Sequence, residues 1–226
     1  MLALKQALSL VSTSTLGGWQ PSDETGLEAW YKFQTGITLN GTDVSAWSDS
    51  SENSFDMVQD TASEQPAYNS GAIDFDASAT HNLGSASDIT LSGAFTIGIR
   101  LNPDQAGVVV IGDNTAGQNE FIKITNSTTL RMKIDSGVAD ISVNDGDLTA
   151  DNYIVVSRNA SDLLTLFING VAQTDTETLA GTANMDAIGV KAEDANPYDG
   201  TISEIQIFDT ESTALTANVN TYLSNL

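Results

Sequence analysis

The chain contains no cysteine among its 226 residues. This absence excludes disulfide bonds, thiolate metal sites and a cysteine nucleophile. A single histidine, His81, gives no pair of imidazoles for a zinc site. The Gly-x-Ser-x-Gly motif of serine hydrolases is also absent. No stretch approaches the roughly 20 apolar residues of a membrane span, so we expect no membrane partner.

Basic residues are scarce: 8 Lys and Arg stand against 30 Asp and Glu, and the net charge is −22 at pH 7. Phosphate binding needs clustered basic side chains, so nucleic acid is not an expected partner. The acidic excess fits a soluble surface that resists self-association. It equally fits loops that hold divalent cations, or a protein suited to a saline environment.

Helical periodicity is missing between Leu27 and Phe208, and short alternating runs take its place. In 95–102 every second residue is apolar, which indicates a strand with one buried and one solvated face. Strands are predicted near 27–33, 55–59, 72–76, 81–84, 95–102, 107–112, 120–126, 129–135, 139–143, 152–158, 163–169, 187–191 and 201–208. Turn signals such as Asn169-Gly170 separate them. The pattern predicts an all-β, antiparallel two-sheet sandwich.

Residues 1–25 are predicted to form an N-terminal arm that ends at the Gly17-Gly18 and Pro21 breakers. We expect the arm to serve assembly through its apolar side chains, which are Leu2, Leu4, Leu8, Val11 and Trp19. Trp19 has an alternative role, in which it folds back onto the domain. The segment lacks a basic stretch ahead of its apolar residues, so we expect no signal peptide.

Residues 212–226 predict a short C-terminal helix. Ser212 or Thr213 can cap its first turn. The apolar side chains Leu215, Val219, Tyr222 and Leu223 recur at helical spacing. We therefore expect this stripe to dock on the sandwich.

Several segments carry a family resemblance: GLEAWYKFQTG at 26–36, FTIGIRLNP at 95–103, YIVVSRNASDLLTLFINGV at 153–171 and AIGVKAEDANPYDG at 187–200. Their order resembles laminin G-like and concanavalin A-like jelly-roll domains over residues 26–226. The resemblance implies two antiparallel sheets, one of them concave, with ligand loops along one rim. The Leu- and Ser-rich segment ahead of the domain resembles, in composition and layout, structural proteins of marine bacteriophages.

Catalysis is not expected. Retaining glycosidases of this fold resemble one another in a Glu-x-Asp-x-x-Glu strand motif, which sets two carboxylates about 5–5.5 Å apart. The sequence lacks that motif. The nearest segment, Asp199 to Glu204, has no carboxylate pair on one face of a strand.

Calcium is the cofactor that the sequence favours, because Ca²⁺ binds six to eight hard oxygen atoms. Two loops are rich in such groups, at 112–120 and 191–200, and the family resemblance implies that they adjoin on one rim where pentraxin-like relatives bind calcium. The candidate ligands are Asp113, Asn114, Asn119, Glu120, Glu193, Asp194 and Asp199. The alternative is that these residues only form turns.

Sugar binding needs an exposed aromatic side chain near such a rim. Tyr198 is the aromatic residue within these two loops, and Asn196 beside it offers an amide. We predict these two as carbohydrate-binding residues. Four other aromatic residues lie in strand-like segments and are predicted to be core: Trp30, Tyr31, Phe33 and Trp47.

Two functions remain open. The first is a non-enzymatic virion structural protein, a capsid decoration or a tail or fibre component, with itself, other virion proteins and host surface polysaccharide as partners. The second is a calcium-dependent, carbohydrate-binding lectin or adhesin, extracellular or on a bacterial surface. The arm and the missing catalytic motifs favour the first, and the acidic loops favour the second.

Overall fold

The computed structural model describes residues 18–115 and 120–226, which form eighteen strands, one α-helix and three short 3-10 turns. The strands are β1 Leu27–Tyr31, β2 Ile37–Asn40, β3 Asp43–Trp47, β4 Met57–Val58, β5 Ala67–Asn69, β6 Ala72–Phe75, β7 Leu83–Leu91, β8 Phe95–Pro103, β9 Val108–Gly112, β10 Phe121–Asn126, β11 Thr129–Ile134, β12 Gly137–Ser142, β13 Asn152–Arg158, β14 Leu163–Ile168, β15 Val171–Ala172, β16 Glu177–Thr178, β17 Ala183–Ile188 and β18 Gly200–Phe208. The helix is α1, Thr213–Leu223. The predicted arm residues Leu2, Leu4, Leu8 and Val11, and the candidate ligand Asn119, lie outside the described residues.

The strands form two antiparallel layers. In the first layer the order is β14-β13-β8-β18-β1. In the second layer it is β12-β11-β10-β9-β17-β7-β4-β3-β2. Strands β5 and β6 join the two, because β5 pairs with β3 and β6 pairs with β18. The predicted all-β antiparallel sandwich is confirmed.

The core lies between the layers, where the inward side chains of both sheets meet in one cluster. Ile97 and Ile99 of the first layer and Leu130 and Met132 of the second are fully buried in it. Their neighbours in sequence face outward, as the period of two requires. Within the described ranges, no helix is long and apolar enough to cross a membrane.

Helix α1 covers the outer face of the first layer. Ser212 caps it, since the Ser212 hydroxyl accepts a hydrogen bond from the Leu215 backbone N–H at 3.0 Å. Leu215, Val219 and Leu223 are buried against the sheet, which confirms the predicted helix and its stripe. Gly98 permits the close approach, because a Cβ there would lie 2.4 Å from Val219 Cγ1.

Trp19 packs against its own domain. Its ring centroid lies 6.3 Å from that of Phe208 and 6.1 Å from that of Tyr222, and its indole N–H donates to Glu24 Oε1 at 2.9 Å. Of the two roles expected for Trp19, the structure shows the one in which it folds back onto the sandwich.

The structure differs from the prediction in two ways: strands β2, β3, β5, β15 and β16 are additional, and the bounds of β7 and β17 are displaced. The hairpin of β2 and β3 is additional, and its turn holds Gly41 at a φ of +71°. Strand β7 runs to Leu91 rather than ending at 84, and β17 spans 183–188 rather than 187–191. In β17 the inward residues include two alanines, and Asn184 and Asp186 alternate with them. Such residues have low strand propensity, which hides the strand in the sequence.

Glu204 is a fully buried carboxyl group in β18 beneath α1. The indole N–H of Trp30, the backbone N–H of Phe33 and the side-chain amide of Gln206 all donate to it. Burial outweighs these hydrogen bonds and raises the pKa of Glu204 to about 7 from an ordinary value of 4.5. The group is therefore protonated in the folded chain at pH values where the unfolded chain has released its proton.

This raised pKa predicts a pH dependence of stability. The contribution of Glu204 is complete below pH 4.5 and is lost as the pH rises through 7, because only the folded chain retains the proton in between. At about 1.4 kcal/mol per pKa unit, the free energy of unfolding should fall by about 3 kcal/mol over this range from Glu204 alone.

Denaturant unfolding at a series of pH values, with chelator present, measures this effect. Glu204→Gln should remove that part of the pH slope, whereas Glu52→Gln, an exposed control, should keep the wild-type slope. Equal slopes in the wild type and Glu204→Gln would contradict the assignment.

Candidate functional site

The site lies at a rim where two loops meet, one after β9 and one after β17. The Asn114 side-chain amide donates to Asp194 Oδ1 at 2.8 Å, and the Asp194 backbone N–H donates to Asn114 Oδ1 at 3.1 Å. This reciprocal pair joins the loops at 112–120 and 191–200, as the family resemblance implied. Asn114 and Asp194 thus hold the two loops to each other.

Three carboxylates meet beside this junction: Asp88 on β7, Asp186 on β17 and Asp113 directly after β9. One oxygen from each lies within 4.8 Å of those of the other two. We call this group the acidic trio. Strand β17 pairs with both β7 and β9, so it brings the three side chains together.

The environments of the three carboxylates differ. Asp88 is exposed, Asp186 is half-buried, and Asp113 has an exposed fraction of 0%. Asp186 accepts hydrogen bonds from the Asn114 backbone N–H at 2.6 Å and from the Thr115 hydroxyl at 3.1 Å. The trio is therefore buried on one side and open to solvent at Asp88.

Asp113 is the least satisfied member. Its Oδ1 accepts from the Thr115 backbone N–H at 2.7 Å, but no donor among the described residues reaches its buried Oδ2. Burial raises the pKa of Asp113, and the charges of Asp186 and Asp88 raise it further, against the opposing effect of the Thr115 N–H. A buried charged oxygen without a partner is costly, and most such atoms in proteins have one.

A divalent cation fits this arrangement. Ca²⁺ binds hard oxygen atoms of carboxylates, carbonyls and water. An ion among the three carboxylates would give Asp113 Oδ2 a partner and would offset the repulsion within the trio. Asp88, Asp113 and Asp186 are the residues that would hold it.

Of the predicted calcium ligands that the structure describes, Asp113 alone belongs to the trio. Glu120 is buried, and its two carboxylate oxygens accept from the backbone N–H groups of Asp135 and Asn184. It ties strand ends together and lies outside the trio. Its role as a ligand stays a prediction.

Asp199 and Glu193 also lie outside the trio. The Asp199 carboxylate accepts from the Ala77 backbone N–H at 3.3 Å and from the Gln105 side-chain amide at 2.9 Å, so it holds neighbouring turns. Glu193 is exposed, at a φ of +61°. Asp194 and Asn114 bond to each other, so their contribution is to position the loops.

Tyr198 is not available to sugars. Its ring is fully buried and packs edge-on against Phe75 with the centroids 5.8 Å apart, and its hydroxyl donates to the Thr201 carbonyl at 3.3 Å. The prediction that Tyr198 binds carbohydrate is wrong for this reason. Asn196 is exposed, and its backbone carbonyl accepts from the Val109 N–H at 2.9 Å. Its role in binding carbohydrate stays a prediction.

Sequence reasoning missed Asp88 and Asp186, because both lie in strands rather than in loops. The alternation of residues around Asp88 and Asp186 nevertheless contained part of the evidence for them. Asp88 precedes Ile89, and Asp186 stands between Met185 and Ala187, so alternation places both carboxylates on the outer face once the strands are assigned.

Comparisons with solved structures show the fold. Domain 4 of AbnA, an extracellular arabinanase from Geobacillus stearothermophilus solved with arabinotriose, has a TM-score of 0.62 at 18% identity, over 86% of this chain and 98% of that one. The binding domain of Paraclostridial Mosquitocidal Protein 1 also scores 0.62, at 14% identity, over 91% of this chain and 53% of that one. This chain therefore spans about half of the second structure.

The family follows from a sequence profile. No curated protein matches the sequence. A profile described as the concanavalin A-like lectin/glucanases superfamily matches residues 75–218, which include the whole acidic trio. Since the match spans more than half of the chain, the protein belongs to the concanavalin A-like lectin/glucanase superfamily.

Proposed function

We propose that this protein is a non-catalytic carbohydrate-binding domain whose binding rim is held by a divalent cation. The observation that carries the proposal is the buried Asp113 carboxylate, one oxygen of which has no donor among the described residues, inside a group of three acids. Membership of a superfamily of lectins and glucanases supports it, as does the likeness in fold to an arabinanase domain solved with arabinotriose.

Calcium is the ion that the site suits. When bound, it supplies a positive centre that sugar hydroxyls can coordinate. Asp88 is exposed, so the outward side of the trio is open to a ligand. The Asn114–Asp194 pair fixes the loop that carries Asn196.

Two features support a binding rather than a catalytic role. Glu204 has a pKa of about 7, which would suit a general acid. However, it is fully buried under α1 and accepts hydrogen bonds from Trp30, Phe33 and Gln206, so a substrate has no access to it. The family motif of paired glycosidase carboxylates is absent from the sequence.

A place in a virion is the second candidate. It rests on the sequence of the arm and on one contact of the structure, the packing of Trp19 on Phe208 and Tyr222. That contact fixes the start of the domain beside α1, so an arm entering at Gly18 begins from a defined position. The sandwich would then be the exposed body, and the arm would fasten it to itself and to other virion proteins.

The cation proposal predicts opposite effects of Asp113→Asn with and without calcium. Without calcium the variant should unfold at a higher temperature than the wild type, because it removes a desolvated charge and its repulsion with Asp88 and Asp186. With calcium at 100 times its dissociation constant, the wild type should gain about 2.7 kcal/mol, or about 5–10 °C in Tm, and the variant should gain almost nothing.

Differential scanning calorimetry with chelator and with calcium measures both effects. Asp60→Asn, which alters an exposed carboxylate, is the matched control and should respond to calcium like the wild type. An equal calcium response in Asp113→Asn would overturn the assignment of the trio.

The binding proposal predicts a signal on a glycan array that disappears when the cation is removed. The wild type should bind at least one class of polysaccharide in calcium and lose it in chelator. Asp186→Asn should lose the same signal, and Asp60→Asn should keep it. Binding that persists in chelator would contradict the cation dependence, and no binding to any glycan would contradict the function itself.

The virion candidate predicts that the arm drives assembly. Removal of residues 1–16 should leave the near-UV circular dichroism and the Tm unchanged, because Trp19 and the sandwich are retained. Light scattering after size exclusion should show an oligomer for the full chain and a monomer for the shortened one. If the two proteins have the same oligomeric state, the arm has no assembly role.

A further inference from the structure

Basic residues are concentrated on one surface of this acidic protein. Of its eight Lys and Arg residues, four lie on or beside the outer face of β10 and β11 in the second layer: Lys123, Arg131, Lys133 and Lys191. We call these four the basic cluster. All four are half-buried.

The strand register produces the cluster. Lys123 on β10 stands directly opposite Arg131 on β11, and Lys133 stands opposite Phe121. Directly opposed side chains have Cβ atoms about 5 Å apart. Lys191, at the start of the rim loop, places its Nζ 5.7 Å from the centroid of the Phe121 ring. The register and the rim loop thus bring the four positive groups together, although Lys191 is distant from the other three in sequence.

Holding these charges together is unfavourable. Burial lowers the pKa of Lys123, and the charges of Lys191 and Arg131 lower it further. Arg131 has a carboxylate partner, since its Nε and Nη2 both donate to Asp140 at 2.6 Å. Within residues 18–115 and 120–226, Lys123 and Lys133 form no ion pair. In a chain with 30 acidic residues, Lys123 and Lys133 therefore leave positive charge available to a ligand.

We propose that the basic cluster binds the carboxylate or sulfate groups of an acidic polysaccharide. This inference rests on the proposed carbohydrate-binding function and names the class of sugar. Anionic groups of the ligand would relieve the repulsion between Lys123 and Arg131 and form charge-assisted hydrogen bonds with both.

The surface around the cluster suits an extended sugar chain. Arg131 and Lys133 are two residues apart on one strand, so their side chains leave the sheet about 7 Å from each other. Opposite Lys133, on the adjacent strand β12, Val138 is 53% exposed. Its methyl groups offer an apolar contact for the C–H face of a sugar ring beside the charged groups.

Nucleic acid is the less favoured polyanion. A duplex carries about one charge per 1.7 Å, and its binding draws on many phosphate contacts. Four cations in a protein of net charge −22 supply only a short positive surface. An acidic polysaccharide needs fewer ionic contacts, because its neutral ring faces and hydroxyls contribute the rest.

The test is isothermal titration in calcium with four probes: oligogalacturonate for carboxylate, dextran sulfate for sulfate, neutral dextran, and a single-stranded oligonucleotide. The full chain is compared with Lys123→Gln and Lys133→Gln. Arg100→Gln is the matched control, because Arg100 lies on β8 of the other layer, where it pairs with Asp151 at 2.9 Å. Thermal unfolding confirms that each variant folds, and two separate lysine variants keep the test valid if one does not.

We expect the wild type to bind one acidic glycan at least tenfold more tightly than dextran. Each lysine variant should weaken that binding by about tenfold, the loss of roughly one charged hydrogen bond, whereas Arg100→Gln should change it less than twofold. Whether oligogalacturonate or dextran sulfate binds identifies the anionic group.

Other outcomes overturn the inference. Binding of neutral dextran as tight as that of the acidic glycans removes the anionic specificity but leaves the carbohydrate-binding function standing. Equal losses in the lysine variants and in Arg100→Gln indicate a general effect of charge. Equally tight binding of the oligonucleotide also contradicts the inference. If no glycan binds in the titration or on a glycan array, both this inference and the proposed function fail.

Discussion

The placement of strand β17 between β7 and β9 decides which acidic side chains meet at the rim. Met185 of β17 lies in the core cluster, so the neighbouring Asp186 faces outward, toward Asp88 and Asp113. A slip of one residue would bury Asp186 and expose Met185. Gly112 permits the contact with the following loop, since a Cβ there would lie 2.4 Å from the Val190 carbonyl oxygen. Hydrophobic burial in the core therefore enforces a group of three like charges that would not otherwise form.

Two carboxyl groups with an exposed fraction of 0%, Glu204 and Asp113, lie in opposite kinds of environment. Glu204 accepts from Trp30, Phe33 and Gln206, and its raised pKa marks a group that belongs to the docking of α1. Asp113 has two acidic neighbours and an oxygen that no donor in the described part of the chain reaches. A buried acid surrounded by hydrogen-bond donors belongs to the packing of the fold, whereas an unsatisfied one beside other acids points to a cation. This contrast distinguishes a structural buried acid from a candidate binding residue. In a chain with so many acidic residues, the presence of an acid alone does not make that distinction.

The sequence predicted the features that follow from the alternation of apolar and polar residues. It missed the features that depend on which strands pair. Strands such as β8 and β14, the Asn169-Gly170 turn and the Ser212-capped helix follow from local patterns, and the structure confirms them. The approach of the loops at Asn114 and Asp194 followed from the family resemblance. Asp88 and Asp186 were missed because weak strand formers surround them, and Tyr198 was misassigned because a loop position does not reveal burial. The basic cluster likewise depends on cross-strand register, which local patterns do not supply.

The central claim is that burial of the core residues brings Asp88, Asp113 and Asp186 together at the rim, where they form a cation site. Crystals grown with calcium and measured at a long wavelength, where calcium scatters anomalously, test it most directly. The account predicts one strong anomalous peak with oxygen atoms of Asp88, Asp113 and Asp186 about 2.3–2.6 Å away. An anomalous peak elsewhere on the two loops would contradict the account. So would the absence of a peak at the trio, with Asp113 Oδ2 hydrogen-bonded to a protein donor instead.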